Sequence, residues 1–428
     1  METKHMKNMV TNTAIFSLFH HNISLQNKGN IFSFPEVNLN SREKKIDLHD
    51  IASTLKEIIK SNSHKRDSDI SLTITGGMDS RLILSCLLKA GIKPNCFTYG
   101  NPNTSDVIYA KNLCKSFGLK FQNVCQETPT KEWYYKWVVE TIKRDQGNSH
   151  LHRAHRTAAI AEHTEAYKPK ILFTGHMGGE GLRGLTYNNY FASPFFEWVN
   201  EGKMQPLEAA KKVLKNYFIR TENIHWDELL EEVLQLPWMQ HYKQTNKYYF
   251  LYELVGKIHH AQDIRLYKTY VPEVVPVFLQ KEYLEALFNS PYHFLNKKPG
   301  IWGRLQNPYV HSKLIEYIYP PLLVYPLANG FSPKDYLRGL WYVVPKKLYN
   351  NLKSKKKYPP TFPYGQWYVD FVKEHAQNIS PEIWELYNKK KYMYALENNH
   401  HQTNEGYWHK FSNPIFFDLV DKYKAGKL

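Results

Sequence analysis

Between residues 51 and 174, short apolar runs alternate with longer stretches whose apolar positions recur at helical spacing. Ile51, Leu55, Ile58 and Ile59 predict a first helix. The β-branched run Ile70–Thr75 predicts a strand that ends at Gly76-Gly77. Ser80–Ala90 follows as a helix, with Ile83, Cys86, Leu87 and Ala90 on one face and Gly91 placed to end it. Asn95–Tyr99 reads as a second strand, Ser105–Phe117 as a helix capped by Ser105, and Leu119–Val124 as a third strand. Helical stretches near Lys131–Lys143 and Arg153–Tyr167 precede the strand Lys170–Thr174. This rhythm predicts an α/β fold: a doubly wound, mainly parallel sheet with helices on both faces. Ligands in such sheets sit beyond the carboxyl ends of the strands.

Residues 1–50 are polar and irregular and read as a short N-terminal extension. Residues 51–330 form the main domain, whose later part is helical and aromatic. Residues 331–428 form a basic, aromatic-rich C-terminal region, with Lys346, Lys347, Lys353, Lys355, Lys356 and Lys357 ahead of Pro359-Pro360. That division agrees with the length, since 428 residues exceed the roughly 250–300 at which a single core stops growing.

The balance of 56 Lys+Arg against 40 Asp+Glu, a net charge of +16, favours acidic partners: nucleotides, nucleic acid, anionic lipid or acidic sugars. No apolar run approaches the ~20 residues of a membrane span, and the start, Met1–Lys7, leads into no apolar h-region. Cys86, Cys96, Cys114 and Cys125 make no CxxC pair, and three of them lie in apolar segments. These are expected to be buried thiols of a cytoplasmic protein. The lysine run reads as a solvated linker, or else as a peripheral membrane contact.

The strongest chemical signal is Thr75-Gly76-Gly77-Met78-Asp79-Ser80, set between a strand and a helix. Paired glycines bring backbone N–H groups close to a ligand, the helix N-terminus adds positive potential, and Thr75 and Ser80 add hydroxyls. An acid in a phosphate cradle makes sense if Mg²⁺ stands between Asp79 and the phosphates; a plain Gly-Gly turn with a helix-capping Asp is the structural alternative. A second segment, Thr174-Gly175-His176-Met177-Gly178-Gly179-Glu180, again follows a strand and again sets glycines beside a carboxylate. A parallel sheet would bring Glu180 and Asp79 to one edge, where they could share a cation.

These residues resemble a family. Thr75–Ser80 looks like the S-G-G-x-D-S pyrophosphate loop of the N-type ATP pyrophosphatases (PP-loop enzymes), and Thr174–Glu180 looks like the S-G-x-G-x-D-E loop of the asparagine synthetase branch. Phe97-Thr98-Tyr99-Gly100, with Ser105, Asp106 and Ala110, fits that branch's second strand and helix. Tyr270–Leu279 is similar to its E-V-R-x-P-F-L-D segment. The resemblance spans residues 50 to 330. It implies an asparagine synthetase-like carbon–nitrogen ligase that uses ATP and Mg²⁺ to turn a carboxylate into an acyl-adenylate, releases pyrophosphate, and forms an amide with an amine or ammonia.

By that resemblance Thr75, Gly76, Gly77, Asp79, Ser80, Thr174, Gly175, Gly178 and Gly179 bind ATP and its pyrophosphate, Thr98 and Tyr99 meet the adenosine, and Asp79 with Glu180 binds Mg²⁺. Lys313, or Arg304, would neutralise the polyphosphate as charge develops. His176 with Glu273 would replace the family's Tyr–Glu pair that deprotonates the amine. An ungapped alignment sets Gly179 where the family has its metal-binding Asp; Glu180 takes that place if Met177 is an insertion. Glu2 stands where glutamine-dependent members carry a nucleophilic Cys, so nitrogen is expected from free ammonia, a partner or an amine substrate. The acid is expected to be a small molecule or glycan of surface-polysaccharide or secondary metabolism. Two alternatives remain open: a tRNA-modifying adenylating enzyme, disfavoured because no nucleic-acid module is visible, and a nucleotide-binding regulator whose chemistry has decayed.

Overall fold

The computed structural model describes residues 37, 46–63, 67–124, 129–147, 149–183, 204–235, 261–293, 308–353, 364–398 and 405–428. Five strands form one all-parallel sheet in the order β3-β2-β1-β4-β5: β1 Ile70–Thr73, β2 Asn95–Tyr99, β3 Phe121–Val124, β4 Ile171–Thr174 and β5 Glu273–Pro276. Parallel strands covered on both faces need apolar side chains in both directions, and β4, fully buried along its length, shows it. The predicted helices appear as α1 Leu48–Asn62, α2 Asp79–Lys89, α3 Ser105–Ser116, α4 Lys131–Arg144 and α5 Ala154–Tyr167. α1 starts at a capping box between Asp47 and Asp50 and buries the apolar stripe its spacing predicts.

Beyond β4 come α6 Gly178–Arg183, α7 Pro206–Lys215, α8 Trp226–Gln235 and α9 Ala261–Lys268, which leads into β5. The sequence pattern alone does not mark β5 as a strand. It is four residues long and closes on Pro276, a residue tolerated because β5 is an edge strand with only β4 beside it. Then follow α10 Lys281–Phe288, α11 Pro308–Ile318, α12 Pro333–Leu337, α13 Leu340–Lys353, α14 Tyr364–His375, α15 Lys389–Asn398 and α16 Glu405–Lys424.

Helices α1, α2 and α11 pack on one another, with α2 against β1 and β4, while α5 lies on β2 and β3 and carries α4 and α9. The C-terminal helices are not a solvated tail. α14 and α16 pack on α4, Trp408 is fully buried, and the Tyr368 hydroxyl donates to Ser412 Oγ (2.8 Å). Most of these aromatics therefore serve packing. Cys86, Cys96 and Cys114 are buried free thiols, as expected, and Cys125 lies outside the described residues. Among the described residues, no helix is long and apolar enough to cross a membrane.

Candidate functional site

In the order β3-β2-β1-β4-β5 the chain winds outward in one direction from β1 and in the other from β4, so the crevice lies between the carboxyl ends of those two strands. Both glycine loops open there. Gly175 and Gly178 lie directly against the start of α2. A Cβ on Gly175 would stand 3.2 Å from the Ser80 backbone nitrogen, and one on Gly178 would stand 2.9 Å from Asp79 Cβ and 2.6 Å from the Phe278 ring. No side chain fits at Gly178 without a shift of its neighbours, and at Gly175 the start of α2 would have to give by a few tenths of an ångström. Met177 between them is buried and takes a left-handed backbone (φ 70°), a conformation costly for a side-chain-bearing residue.

Three N–H groups of the first loop are already occupied. The Thr75 N–H donates to Ser80 Oγ (3.2 Å), Gly76 to Asp106 Oδ1 (3.1 Å) and Gly77 to Thr75 Oγ1 (3.1 Å). Short polar side chains thus hold the cradle in shape. Burial raises the Asp106 carboxyl above its ordinary value, partly offset by the Gly76 bond. From the other side, the Ala328 N–H donates to the Gly76 carbonyl (2.9 Å). The buried Arg81 of α2 donates to the carbonyls of Tyr325 and Pro326. The 325–328 segment is thus a wall of the crevice, and burial lowers the Arg81 guanidinium to about 10.

Asp79, the first residue of α2, faces His311 of α11, with Nε2 to Oδ1 at 2.8 Å. His311 is fully buried, while the Asp79 side chain keeps a quarter of its surface open. Glu180 lies in the first turn of α6, half-buried. At about 100° per residue it stands about 200° around the helix from Gly178, the residue that touches Asp79. Among the described residues no group of three His, Cys, Asp or Glu side chains could form a metal cage. A Mg²⁺ ion carried by a triphosphate needs only one or two carboxylates, and Asp79 suits that part.

Two of the three catalytic candidates, Glu273 and Lys313, are placed otherwise than the sequence suggests. Glu273 opens β5 in register with Ile171, the first residue of β4. It is therefore at the amino edge of the sheet, about 10 Å of strand rise away from the level of Thr174, and is not His176's partner. Lys313 bonds Glu316 one turn along α11 (2.6 Å), on a partly exposed face. His311, two residues earlier, is the α11 residue that reaches the crevice. Arg304 lies outside the described residues.

His176 directs Nδ1 to Thr174 Oγ1 (2.9 Å) and Nε2 towards Asp263 Oδ2 of α9 (3.5 Å). Both ring nitrogens of His176 thus face protein groups. Asp263 joins several charged groups here. Fully buried, it also binds Arg153 (3.3 Å) and Arg156. Burial opposes its ionisation, but the two guanidiniums dominate and hold its carboxyl far below the usual range. Burial and the same cations press His155 down to about 3, and its ring stacks on Tyr364 (4.6 Å) beside Tyr99. Arg153, His155 and Arg156 could pass in the sequence for a solvated helix face; the structure turns them toward the end of β2 and the second loop. Thr98 is buried within β2, and Tyr99 at its end is half-buried.

No protein-family model matches this chain, and a search of curated proteins finds no match. The resemblance of the two loops therefore rests on their residues.

Proposed function

We propose that this protein is an ATP-dependent ligase that activates a carboxylic acid as an acyl-adenylate and transfers the acyl group to an amine or ammonia. One observation carries the reading: the second glycine loop presses on the first turn of α2 at Asp79, at the switch point of the sheet. Two unrelated loops would have no reason to exclude side chains at their contact.

In the proposed reaction a carboxylate oxygen attacks the α-phosphorus of ATP. A P–O bond forms, the α–β bridging P–O bond breaks, and pyrophosphate leaves. The amine nitrogen then attacks the acyl carbon, expelling AMP and giving up a proton. The Thr75–Ser80 loop and the N-terminus of α2 would hold the phosphates. Asp79 would hold Mg²⁺, which when bound would neutralise phosphate charge. His311 fixes the Asp79 carboxylate. The Arg153–Arg156–Asp263 cluster carries two guanidiniums against one carboxylate, and Arg156 is partly exposed, so the crevice beside His176 favours an acidic substrate.

The test is pyrophosphate release by the full chain against a panel of carboxylic acids, with and without ammonium. Acid-dependent release is expected, and Asp79→Asn should lower it at least a hundredfold while leaving a folded protein. Nucleotide binding without release for any acid would favour the regulator reading instead.

A further inference from the structure

α13 is amphipathic the wrong way round for a helix that only packs on its own protein. At about 100° per residue, Trp341, Leu348 and Leu352 fall within about 40° of one another. They are 95%, 60% and 86% exposed, and Tyr349 beside them is 54% exposed. Val343, on the opposite side, is buried, and Lys346 near it bonds Asp335 (2.6 Å). The helix is thus anchored to α12 by its polar-flanked side and turns its apolar stripe to solvent. An exposed tryptophan and two exposed leucines in one stripe form a docking face.

The charge around that face selects the partner. Residues 334–357 contain Lys334, Arg338 and six further lysines, but a single acid, Asp335. That acid is buried and bound to Ser332 (3.0 Å) as well as Lys346, so no carboxylate in the stretch stands open to repel an anionic surface. Lys334 of α12 and Arg338 at its C-cap are exposed, and half-buried Lys347 lies about 100° around α13 from Leu348. Apolar residues with a tryptophan at the centre and basic residues on the flanks are the pattern of a helix lying in a lipid headgroup layer.

We propose that α13 docks this protein onto an anionic lipid surface, with Trp341, Leu348 and Leu352 entering the headgroup boundary and the flanking basic residues meeting lipid phosphates. This inference does not depend on the ligase reading.

The experiment is flotation of the full-length protein with vesicles of phosphatidylcholine alone, or of phosphatidylcholine mixed with phosphatidylglycerol, at low and high salt. The protein is expected to float with the anionic vesicles and to release as salt rises, since each basic residue near the surface contributes about fivefold in partition. Leu348→Glu/Leu352→Glu, a change at exposed positions that circular dichroism should show folded, is expected to lose at least tenfold in binding. Trp341→Ser should lose several-fold. The proposal is overturned by absence of flotation with anionic vesicles at low salt, or by equal flotation of the double variant. It is equally overturned if the same substitutions abolish self-association without changing lipid binding, which would assign the face to a second copy.

Discussion

Replacing Gly178 with alanine adds one methyl group at the point where the two loops meet. That carbon would lie 2.6 and 2.8 Å from two atoms of the Phe278 ring and 2.9 Å from Asp79 Cβ, against about 3.5–4.0 Å for carbons in contact. Phe278 cannot swing aside: it is fully buried and braced by Tyr283 (ring centroids 5.2 Å apart). The overlap must be relieved by moving the start of α6 or the first turn of α2. Overpacking of this kind costs about 1–3 kcal/mol. The helix preference of alanine over glycine returns at most about 1 kcal/mol, and less at a first helical position. A net loss of about 1–2 kcal/mol is therefore expected, read as a lower midpoint in chemical denaturation with an unchanged slope. Pyrophosphate release should fall further than stability does, because Asp79 is one of the two groups that can yield. Gly175→Ala, whose nearest contact is 3.2 Å, should show the same effect more weakly. A Gly178→Ala protein as stable as the parent or more so would refute the reasoning, because the loops would then not be pressed together.

Three further outcomes follow from the same geometry. Asp263→Asn leaves Arg153 and Arg156 buried without their carboxylate and should destabilise by about 3–5 kcal/mol, measured by urea unfolding at neutral pH. Acid should weaken the fold well before carboxylates titrate: burial holds His155 and His163 neutral, each pressed down to about 3. Their contribution is complete above the unfolded value of about 6.5 and is lost as pH falls from there toward 3, at roughly 1 kcal/mol each by pH 5.5. Asp263 has the same sign of dependence in a lower window, its contribution present above about 3.8 and lost only below it, so the two effects separate along the pH axis; a flat stability between pH 7 and 5 would contradict the histidine assignment. Lys313→Ala should leave pyrophosphate release within about twofold of the parent, because a part-exposed pair such as Lys313–Glu316 contributes little, whereas His311→Ala should reduce release strongly.

The strands and helices up to residue 174 were readable because each buried face repeats at its own period, and the two glycine loops were readable because their chemistry is local. Glycine next to an acid at a strand end is a signal within a few residues. The partners of those loops were not readable for the opposite reason. His311 is 232 residues from Asp79 and Asp263 is 87 from His176, and nothing in the composition around either marks it. Glu273 misled because its local motif matched while its position along the strand did not: register decides which edge a residue reaches, and register with β4 is a tertiary property. Lys313 misled because a cation in the right helix is a plausible phosphate partner until helix phase turns it outward. β5 went unmarked because four residues ending in proline carry too little periodicity.

The self-occupied donors of the first glycine loop bear on how an anion would enter. Because Ser80, Asp106 and Thr75 already satisfy the N–H groups of Thr75, Gly76 and Gly77, these three donors can meet an anion only by letting go of a side chain. Arrival of a polyanion is an exchange of partners, nearly even in bond count. What remains to draw it in is long-range attraction, so its residence should shorten steeply as ionic strength rises.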